Sequence, residues 1–404
     1  MTIAEYQDVG RVRIPETQKI LHLYGAGMEN LKLEEGPVEQ PGDDQLLVRI
    51  DAVGVCASDY KLIVQGEAHS RVKGRNLAAE PTSPGHEVSM TVVKTGRTLE
   101  NTYRPGDRYT VQAAIMYQGK STAFGYWIPG AQRQWHIIGP EVIEGGYLLK
   151  IDPKLGYAQA AIAEPWACVF HAYKNHRATQ SVKSGGTVWY LGAGPLGLMH
   201  VEKGIRDGAK RVIVSEMLQE RLDHLQRILG PVAKAHGVEL LTVNTGEVRI
   251  DSVLPPGAAD DIVILCPVPK AAEAALPYLA FGGFMNIFAG FPNRDKAFIQ
   301  LNLNDMHYND WTLIATSGSP IEALRRALDD AAAGRIDPNN AVACVGGLGA
   351  AIEAMQAVHD GTYPGRIIIY PQIEELPLTP ICELTHEGRW SNDAEVKLLE
   401  ERLP

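Results

Sequence analysis

A glycine-rich turn between a strand and a helix is the feature that most restricts how this chain can fold. Residues 192–197 read Gly-Ala-Gly-Pro-Leu-Gly, directly after the β-rich segment 187–191 and at the start of the helix-like segment 196–206. In a G-x-G-x-x-G turn the glycines permit a tight bend and let backbone N–H groups approach a pyrophosphate, which the positive end of the helix also attracts. The pattern predicts a dinucleotide site whose cofactor-binding residues are Gly192, Gly194, Pro195, Leu196 and Gly197.

An acidic residue at the end of the next strand extends this prediction. Glu216 follows the strand 211–215, about 20 residues beyond the turn, where a carboxylate accepts hydrogen bonds from the adenine ribose hydroxyls. The same carboxylate repels the 2′-phosphate of NADP, although Arg221, slightly further on, would weaken that repulsion. The sequence therefore favours NAD over NADP as the cofactor.

The order of strands and helices predicts an α/β fold with more than one domain. A chain of 404 residues is too long for one ordinary core. The first ~170 residues show short strands and turns, which include the predicted strands 45–55, 87–94 and 109–113. From about residue 179 strands alternate with helices, which predicts a parallel, doubly wound sheet. The predicted strands there are 187–191, 211–215, 261–265, 283–288 and 312–315, with helices at 196–206, 219–229 and 270–279. A last segment adds the helix 321–332, the strand 366–370 and a charged tail.

Charge and cysteine content exclude several classes of protein. A net charge of −10 argues against a nucleic-acid partner, and no apolar run approaches the roughly 20 residues of a membrane helix. The five cysteines are scattered and never form a C-x-x-C pair, which argues against a disulfide framework and against a four-cysteine zinc site. Because no secretory signal is visible at the N-terminus, we expect a cytoplasmic protein.

Three separated segments carry side chains of the kind that bind zinc. Cys56 follows a strand, His86 and Glu87 open another strand, and Glu164 precedes a proline near the junction between the two chain halves. A thiolate, an imidazole and a carboxylate together suit zinc, with one position left for water or substrate. Each residue alone has an ordinary structural explanation, so it is their combination with a dinucleotide turn that favours a metal site.

The motifs G-V-C-A-S-D, P-G-H-E, P-G-D-R, E-P-W-A-C-V-F-H-A and G-A-G-P-L-G occur in this order along the chain. Together they resemble the zinc-containing medium-chain dehydrogenases, and in particular the branch of sorbitol dehydrogenase and the sugar-phosphate dehydrogenases. The resemblance implies a GroES-like β-rich catalytic domain in two segments, 1–173 and 318–404, around a Rossmann domain at 174–317. It also implies zinc-dependent hydride transfer between NAD(H) and a secondary alcohol or polyol, with sugars and sugar phosphates among the candidate substrates.

The resemblance assigns roles to residues near the metal. Cys56 and His86 would be zinc ligands, and Asp59 would hydrogen-bond the far ring nitrogen of His86. Either Glu87 or Glu164 would supply the carboxylate ligand, or both in turn. For catalysis, Ser58 would accept the proton of the substrate hydroxyl. Lys61 occupies the position where the family's proton relay often ends in a histidine, Glu87 matches a mobile acid beside the zinc, and Arg366 matches a position that contacts the cofactor pyrophosphate.

Departures from the family pattern leave other questions open. The cysteine-rich lobe of alcohol dehydrogenases is replaced by the aromatic, cysteine-free segment 115–135, which predicts one catalytic zinc and no structural zinc. The aromatic rings of that segment would wall the substrate pocket, pack in a core or form contacts between subunits. The basic residues of the segment 69–75 would either hold a phosphate or carboxylate of the substrate or form a solvated loop.

Two other readings of the sequence compete with this one. One is a zinc-free quinone or enoyl reductase, which would lack the cysteine, histidine and glutamate found here and would bind no zinc. The other is an NAD-binding protein without turnover, which would reduce NAD with no polyol. The family also implies a homodimer or homotetramer in which strand 312–315 pairs across a two-fold axis.

Overall fold

The structure, a computed structural model, describes residues 2–10, 12–291 and 293–403. The chain divides into two compact units, one formed by the residues up to Pro165 and from Pro320, the other by Trp166–Ser319. The predicted domain limits, after residues 173 and 317, lie near these divisions and stay predictions. Within the described residues, no helix combines the length and the apolar character needed to cross a membrane.

The first segment of the chain builds antiparallel strands around one long, fully buried strand, β3. Every residue of β3 is buried: Leu46, Val48 and Ile50 pack in one hydrophobic cluster, while Arg49 and Asp51, which alternate with them, form a buried ion pair at 2.8 Å. The elements of this segment are α1 (Ile3–Gln7), β1 (Thr17–Leu23), β2 (Leu31–Pro37), β3 (Leu46–Val55), α2 (Ala57–Gln65), β4 (Glu87–Thr95), β5 (Arg108–Val111), β6 (Ala114–Tyr117), β7 (Lys120–Ala123), β8 (Trp135–Ile138), α3 (Pro140–Ile143), β9 (Leu148–Lys150) and α4 (Tyr157–Ala161).

The middle of the chain forms the parallel sheet that the sequence predicts. Its strands lie in the order β12-β11-β10-β13-β14-β15, the arrangement of a doubly wound dinucleotide-binding fold, and the α/β fold class is confirmed. The elements are α5 (Ala163–Ala172), in which the division between the units falls, β10 (Thr187–Leu191), α6 (Pro195–Arg206), β11 (Arg211–Glu216), α7 (Gln219–Ala235), β12 (Glu239–Asn244), β13 (Ala259–Ile264), α8 (Pro269–Ala275), β14 (Leu279–Ile287), α9 (Leu303–Tyr308) and β15 (Thr312–Ala315).

The last segment returns to the first unit and completes its large sheet. The strand order there is β18-β16-β17-β3-β4-β5-β9, and β8 also pairs with β3. The elements are α10 (Ile321–Ala332), β16 (Val342–Gly347), α11 (Ala351–Asp360), β17 (Arg366–Tyr370), β18 (Thr379–Pro380), α12 (Ile381–Leu384) and α13 (Asn392–Arg402).

The end of the chain differs from the charged tail expected from the sequence. Residues Asn392–Arg402 form α13, whose first turn is capped by the Ser391 hydroxyl. One of its acids, Glu395, is buried and accepts hydrogen bonds from the backbone N–H groups of Tyr157 (2.6 Å) and Ala158 (2.7 Å) and from the Tyr370 hydroxyl (2.8 Å). The helix is thus held by a carboxylate that satisfies the open N–H groups at the start of α4.

We predict that Glu395→Ala lowers the free energy of unfolding by about 2–4 kcal/mol, because it leaves two buried N–H groups and a hydroxyl without an acceptor. Urea unfolding of this variant would be compared with Glu401→Ala, which removes an exposed acid of the same helix. Equal stability of the two variants would contradict the anchoring role of Glu395.

Candidate metal centre and dinucleotide site

The ends of three strands meet at one place in the first unit. β3 lies between β4 and β17 and is antiparallel to both, so the last residues of β3 adjoin the first residues of the other two strands. In this register Gly54 faces Glu87, and Val55 faces Ile367. Antiparallel pairing therefore brings Cys56 together with Glu87 and Arg366, although these residues are far apart in sequence.

Three of the predicted metal ligands form a compact cluster. The sulfur of Cys56, a ring nitrogen of His86 and a carboxylate oxygen of Glu87 all lie within 4.8 Å of one another. Both Glu87 oxygens are buried and make no aligned hydrogen bond to any described residue, while Arg366 Nη1 contributes an ion pair at 3.1 Å from Oε1. A thiolate, an imidazole and a carboxylate with spare lone pairs are a donor set that fits zinc.

One buried carboxylate orients two of these ligands. Asp59 Oδ1 accepts hydrogen bonds from His86 Nδ1 (2.9 Å) and from the Gly85 N–H (3.1 Å), and its Oδ2 accepts from the Cys56 N–H (3.1 Å). The predicted hydrogen bond between Asp59 and His86 is therefore confirmed. Since Nδ1 carries the proton, Nε2 keeps its lone pair for a metal. Burial acts to lower the pKa of His86, but Asp59, Tyr126 and Cys56 together raise that pKa well above its ordinary value, so a metal ion would compete with a proton for Nε2.

Ser58 lies beside the ligand cluster, at the start of α2. Its Oγ is 3.0 Å from the sulfur of Cys56 and 3.4 Å from Nε2 of His86. The hydroxyl is thus next to the atoms that would hold the metal. Lys61 is on the same helix with an exposed side chain, and its proposed place in a proton relay stays a prediction.

A segment that the sequence left ambiguous holds the His86 turn in place. The N–H groups of Gly130, Ala131 and Gln132 donate to the carbonyls of Ser83, Gly85 and Pro84, at 2.8, 2.9 and 3.1 Å respectively. The ring of Tyr126 lies 5.7 Å from the ring of His86, centroid to centroid. Of the aromatic residues in the predicted segment, Tyr126, Phe124 and Trp135 all pack in hydrophobic clusters, and Tyr126 also borders the site.

The second candidate carboxylate, Glu164, is close to this cluster but is not one of its three members in the described chain. It is buried in the first turn of α5. Burial raises the pKa of Glu164; the negative charge of Glu87 also raises it, whereas the positive charges of His86 and Arg366 lower it. These interactions place Glu164 near His86 and Glu87, in surroundings that favour its uncharged form.

Arg366 has a role that the sequence did not reveal. Its side chain is buried, and Nη1 lies 3.1 Å from the Glu87 carboxylate and donates to the carbonyl of Val55 at 3.4 Å. Burial acts to lower the pKa of Arg366, but the charges of Glu87, Cys56 and Glu164 raise it overall. The predicted contact between Arg366 and a pyrophosphate stays a prediction.

The second unit carries the glycine-rich turn between β10 and α6, as predicted. Gly192 has φ of +119°, which favours glycine, and its N–H donates to the Ser215 carbonyl (2.8 Å). A Cβ at Gly197 would come within 2.5 Å of the Gly192 carbonyl oxygen, so the third glycine allows the helix to approach the turn. Gly194 caps α6, and Pro195 and Leu196 are its first residues.

Glu216 ends β11 with its carboxylate directed back to the turn. Its Oε2 accepts from the Ala193 N–H (3.1 Å), its Oε1 accepts from the Met217 N–H (2.8 Å), and Arg221 Nη1 lies 3.6 Å from Oε2. A cavity of about 500 Å³ adjoins Gly192 and Glu216 and is bounded by apolar side chains such as Val268. Its volume and its apolar walls suit part of a dinucleotide.

Comparison with known proteins agrees with this architecture. Residues 42–165 match the alcohol dehydrogenase GroES-like domain. The chain is 31% identical to mannitol-1-phosphate 5-dehydrogenase of Aliivibrio fischeri, over 88% of this chain and 87% of that protein. This chain belongs to the zinc-containing medium-chain dehydrogenases, in the polyol dehydrogenase-like branch. The family predicted from the sequence motifs is thereby confirmed.

Two further relatives of this medium-chain dehydrogenase extend the comparison. It is 26% identical to L-sorbose 1-phosphate reductase of Klebsiella pneumoniae, over 95% of this chain and 98% of that protein. The crystal structure of 2R,3R-butanediol dehydrogenase from Bacillus subtilis has the same fold, with a TM-score of 0.71 at 20% identity, and the match covers 88% of this chain and 99% of that one.

Gly54 provides a test of the geometry at the metal centre. A Cβ there would overlap Oε2 of Glu87 and lie 3.0 Å from the Glu87 Cβ, so we predict that Gly54→Ala displaces the carboxylate and weakens zinc binding about 10- to 100-fold. The measurement is a chelator-competition titration. Gly290→Ala is the control, because its added Cβ meets no atom within 4 Å. Unchanged zinc affinity in Gly54→Ala would show that Glu87 does not bind the metal from this position.

Proposed function

We infer that this medium-chain dehydrogenase transfers a hydride between NAD(H) and a secondary hydroxyl of a polyol or sugar phosphate. The observation that carries the inference is the cluster of Cys56, His86 and Glu87 within 4.8 Å, with the Ser58 hydroxyl beside it. The same chain carries a dinucleotide turn in its second unit. Two relatives that match most of the chain are named for a phosphorylated sugar alcohol and a phosphorylated ketose, which supports this substrate class.

Cys56, His86 and Glu87 are proposed to hold one zinc ion, with Glu164 as a nearby buried acid. Bound zinc would polarise the substrate hydroxyl and lower its pKa. Asp59 holds the Nδ1 proton of His86 and so directs Nε2 to the metal, and Arg366 offsets part of the negative charge of Glu87. A single zinc is proposed because the β6–β7 hairpin, which contains no cysteine, lies in the segment where alcohol dehydrogenases bind a structural zinc.

The proton of the substrate hydroxyl is proposed to leave through Ser58. Its Oγ accepts this proton and passes its own outward along the first turns of α2, where Lys61 follows one turn later.

Arg366 is proposed to bind the cofactor pyrophosphate with the guanidinium nitrogens that do not contact Glu87. A cytoplasmic location stays a prediction based on the scattered cysteines of the sequence.

The edge of the parallel sheet supports the proposal that two copies of the chain associate. β15 is an edge strand, and large exposed apolar side chains precede it in sequence: Phe281 in β14, and Leu303 and Tyr308 in α9. An exposed edge with apolar neighbours favours pairing with another strand. We propose that β15 pairs with its copy across a two-fold axis, in a homodimer or in one half of a homotetramer.

The ligand assignment predicts different effects for the two glutamates. Cys56→Ala and Glu87→Gln should lose both zinc, measured by mass spectrometry, and NADH formation, whereas Glu164→Gln should keep its zinc. The substrates to be compared are free and phosphorylated hexitols, cyclitols and ketoses. Loss of zinc from Glu164→Gln alone would reverse the assignment of the ligand. A zinc-loaded wild-type enzyme that turns over none of these compounds would contradict the proposed function.

NAD is the proposed cofactor because Glu216 ends β11, the position from which an acid in this fold binds the adenine ribose and repels a 2′-phosphate. We predict that Glu216→Ala reduces the preference for NAD over NADP, measured as the ratio of kcat/KM values, about tenfold or more. Removing the acid also leaves Arg221 without its partner. The double variant Glu216→Ala/Arg221→Ala should therefore regain less NADP activity than Glu216→Ala, and a wild-type enzyme that prefers NADP would contradict the assignment.

A further inference from the structure

We propose that Arg71 binds the phosphate group of a phosphorylated polyol substrate, and that His69 and Tyr126 hold it in position. This inference rests on the proposed function, because it names the part of the substrate that the first unit recognises at a distance from the reacting hydroxyl. Within the basic segment 69–75, Arg71 would bind the phosphate, whereas Arg75 holds the loop together.

Arg75 does not take part in substrate binding, since its guanidinium holds the loop together. Nε donates to the Glu80 carbonyl (2.8 Å) and Nη2 to the Pro81 carbonyl (2.9 Å), while Nη1 donates to the Trp127 carbonyl. All three nitrogens are therefore occupied by backbone oxygens. Arg75 ties the segment 69–75 to the segment that contains Tyr126, and so fixes the position of both.

Arg71 has the opposite character. Its side chain is exposed, and its guanidinium makes no hydrogen bond or ion pair with any residue in the described part of the chain. It lies over the ring of Tyr126, with Cζ 5.4 Å from the ring centroid. A guanidinium held by a cation–π contact keeps all of its N–H donors for a ligand, and its planar fork matches a phosphate.

Tyr126 connects Arg71 to the metal centre. The same ring lies 5.7 Å from the ring of His86, centroid to centroid. One aromatic side chain thus contacts both the cation and a ligand of the proposed zinc. Because Tyr126 is buried and holds this position, the exposed guanidinium of Arg71 is fixed near the metal centre, where it could bind the terminal phosphate of a substrate whose reacting hydroxyl is at the zinc.

His69 makes the arrangement rigid. It is buried and stacks against Tyr126, with ring centroids 5.2 Å apart and an interplanar angle of 22°. Its Nδ1 accepts the backbone N–H of Arg71 (3.3 Å), so one imidazole positions both residues. Burial lowers the pKa of His69, as do the charges of Lys61 and Arg71, so the ring stays neutral and Nδ1 remains an acceptor. Lys61 adds a second positive charge close to His69.

The test compares the zinc- and NAD-loaded enzyme acting on hexitol 1-phosphates and on the corresponding free hexitols. Arg71→Ala should lower kcat/KM for the phosphate esters about 10- to 100-fold, mainly through KM, with little change for the free hexitols. Arg71→Lys should recover part of the loss, because lysine keeps the charge but not the fork. Lys73→Ala is the matched control, since it removes an exposed cation from the same segment, and it should leave both values unchanged.

A second measurement does not depend on turnover. Calorimetric titration of the loaded enzyme with inorganic phosphate should show binding that Arg71→Ala weakens and Lys73→Ala does not. Equal losses on both substrate classes, unchanged phosphate affinity in Arg71→Ala, or an equal effect of Lys73→Ala would each overturn the role of Arg71. These outcomes leave the proposed function intact, whereas an enzyme inactive on every polyol would overturn the function even if phosphate binding by Arg71 were found.

Discussion

The antiparallel pairing of β3 with β4 on one side and β17 on the other is the constraint on which the metal centre depends. It brings the end of one strand to the starts of two others, so that a thiol, an imidazole, a carboxylate and a guanidinium meet. Gly54 is the necessary gap in this arrangement, because the Glu87 carboxylate occupies the space of its missing side chain and contacts Arg366 there. A change in strand register would move all of these groups apart.

Helix α2 begins at the same place and gives each residue of its first turns a separate task. Cys56 precedes the helix, Ser58 brings a hydroxyl to the ligand atoms, and Asp59 reaches across to His86 and Gly85. The loop that follows supplies Arg71 and His69, and Tyr126 joins that loop to the metal centre. The proposed proton transfer at one end of the substrate and the proposed phosphate recognition at the other therefore both use residues from the stretch 56–71.

The sequence predicted those parts of the protein that depend on local patterns. The strand, turn and helix around Gly192 and the end of β11 at Glu216 follow from periodicity and glycine placement, and Cys56, His86 and Glu87 from short motifs next to strands. It did not predict the pairing of Arg366 with Glu87, which requires knowing that β17 and β4 flank β3. The residues Arg71 and Arg75 look alike in sequence, and only their tertiary contacts separate a ligand-binding cation from one that holds a loop. The C-terminal helix was read as a tail because nothing local indicates that Glu395 is buried against α4.

The central claim is that one zinc is held by one cysteine, one histidine and a carboxylate. X-ray absorption at the zinc edge of the purified enzyme measures this coordination directly. We expect one zinc per chain, with a single sulfur ligand at about 2.3 Å and with nitrogen or oxygen as the remaining ligands at about 2.0–2.2 Å. A zinc with two or more sulfur ligands, or a purified, active enzyme without zinc, would contradict it.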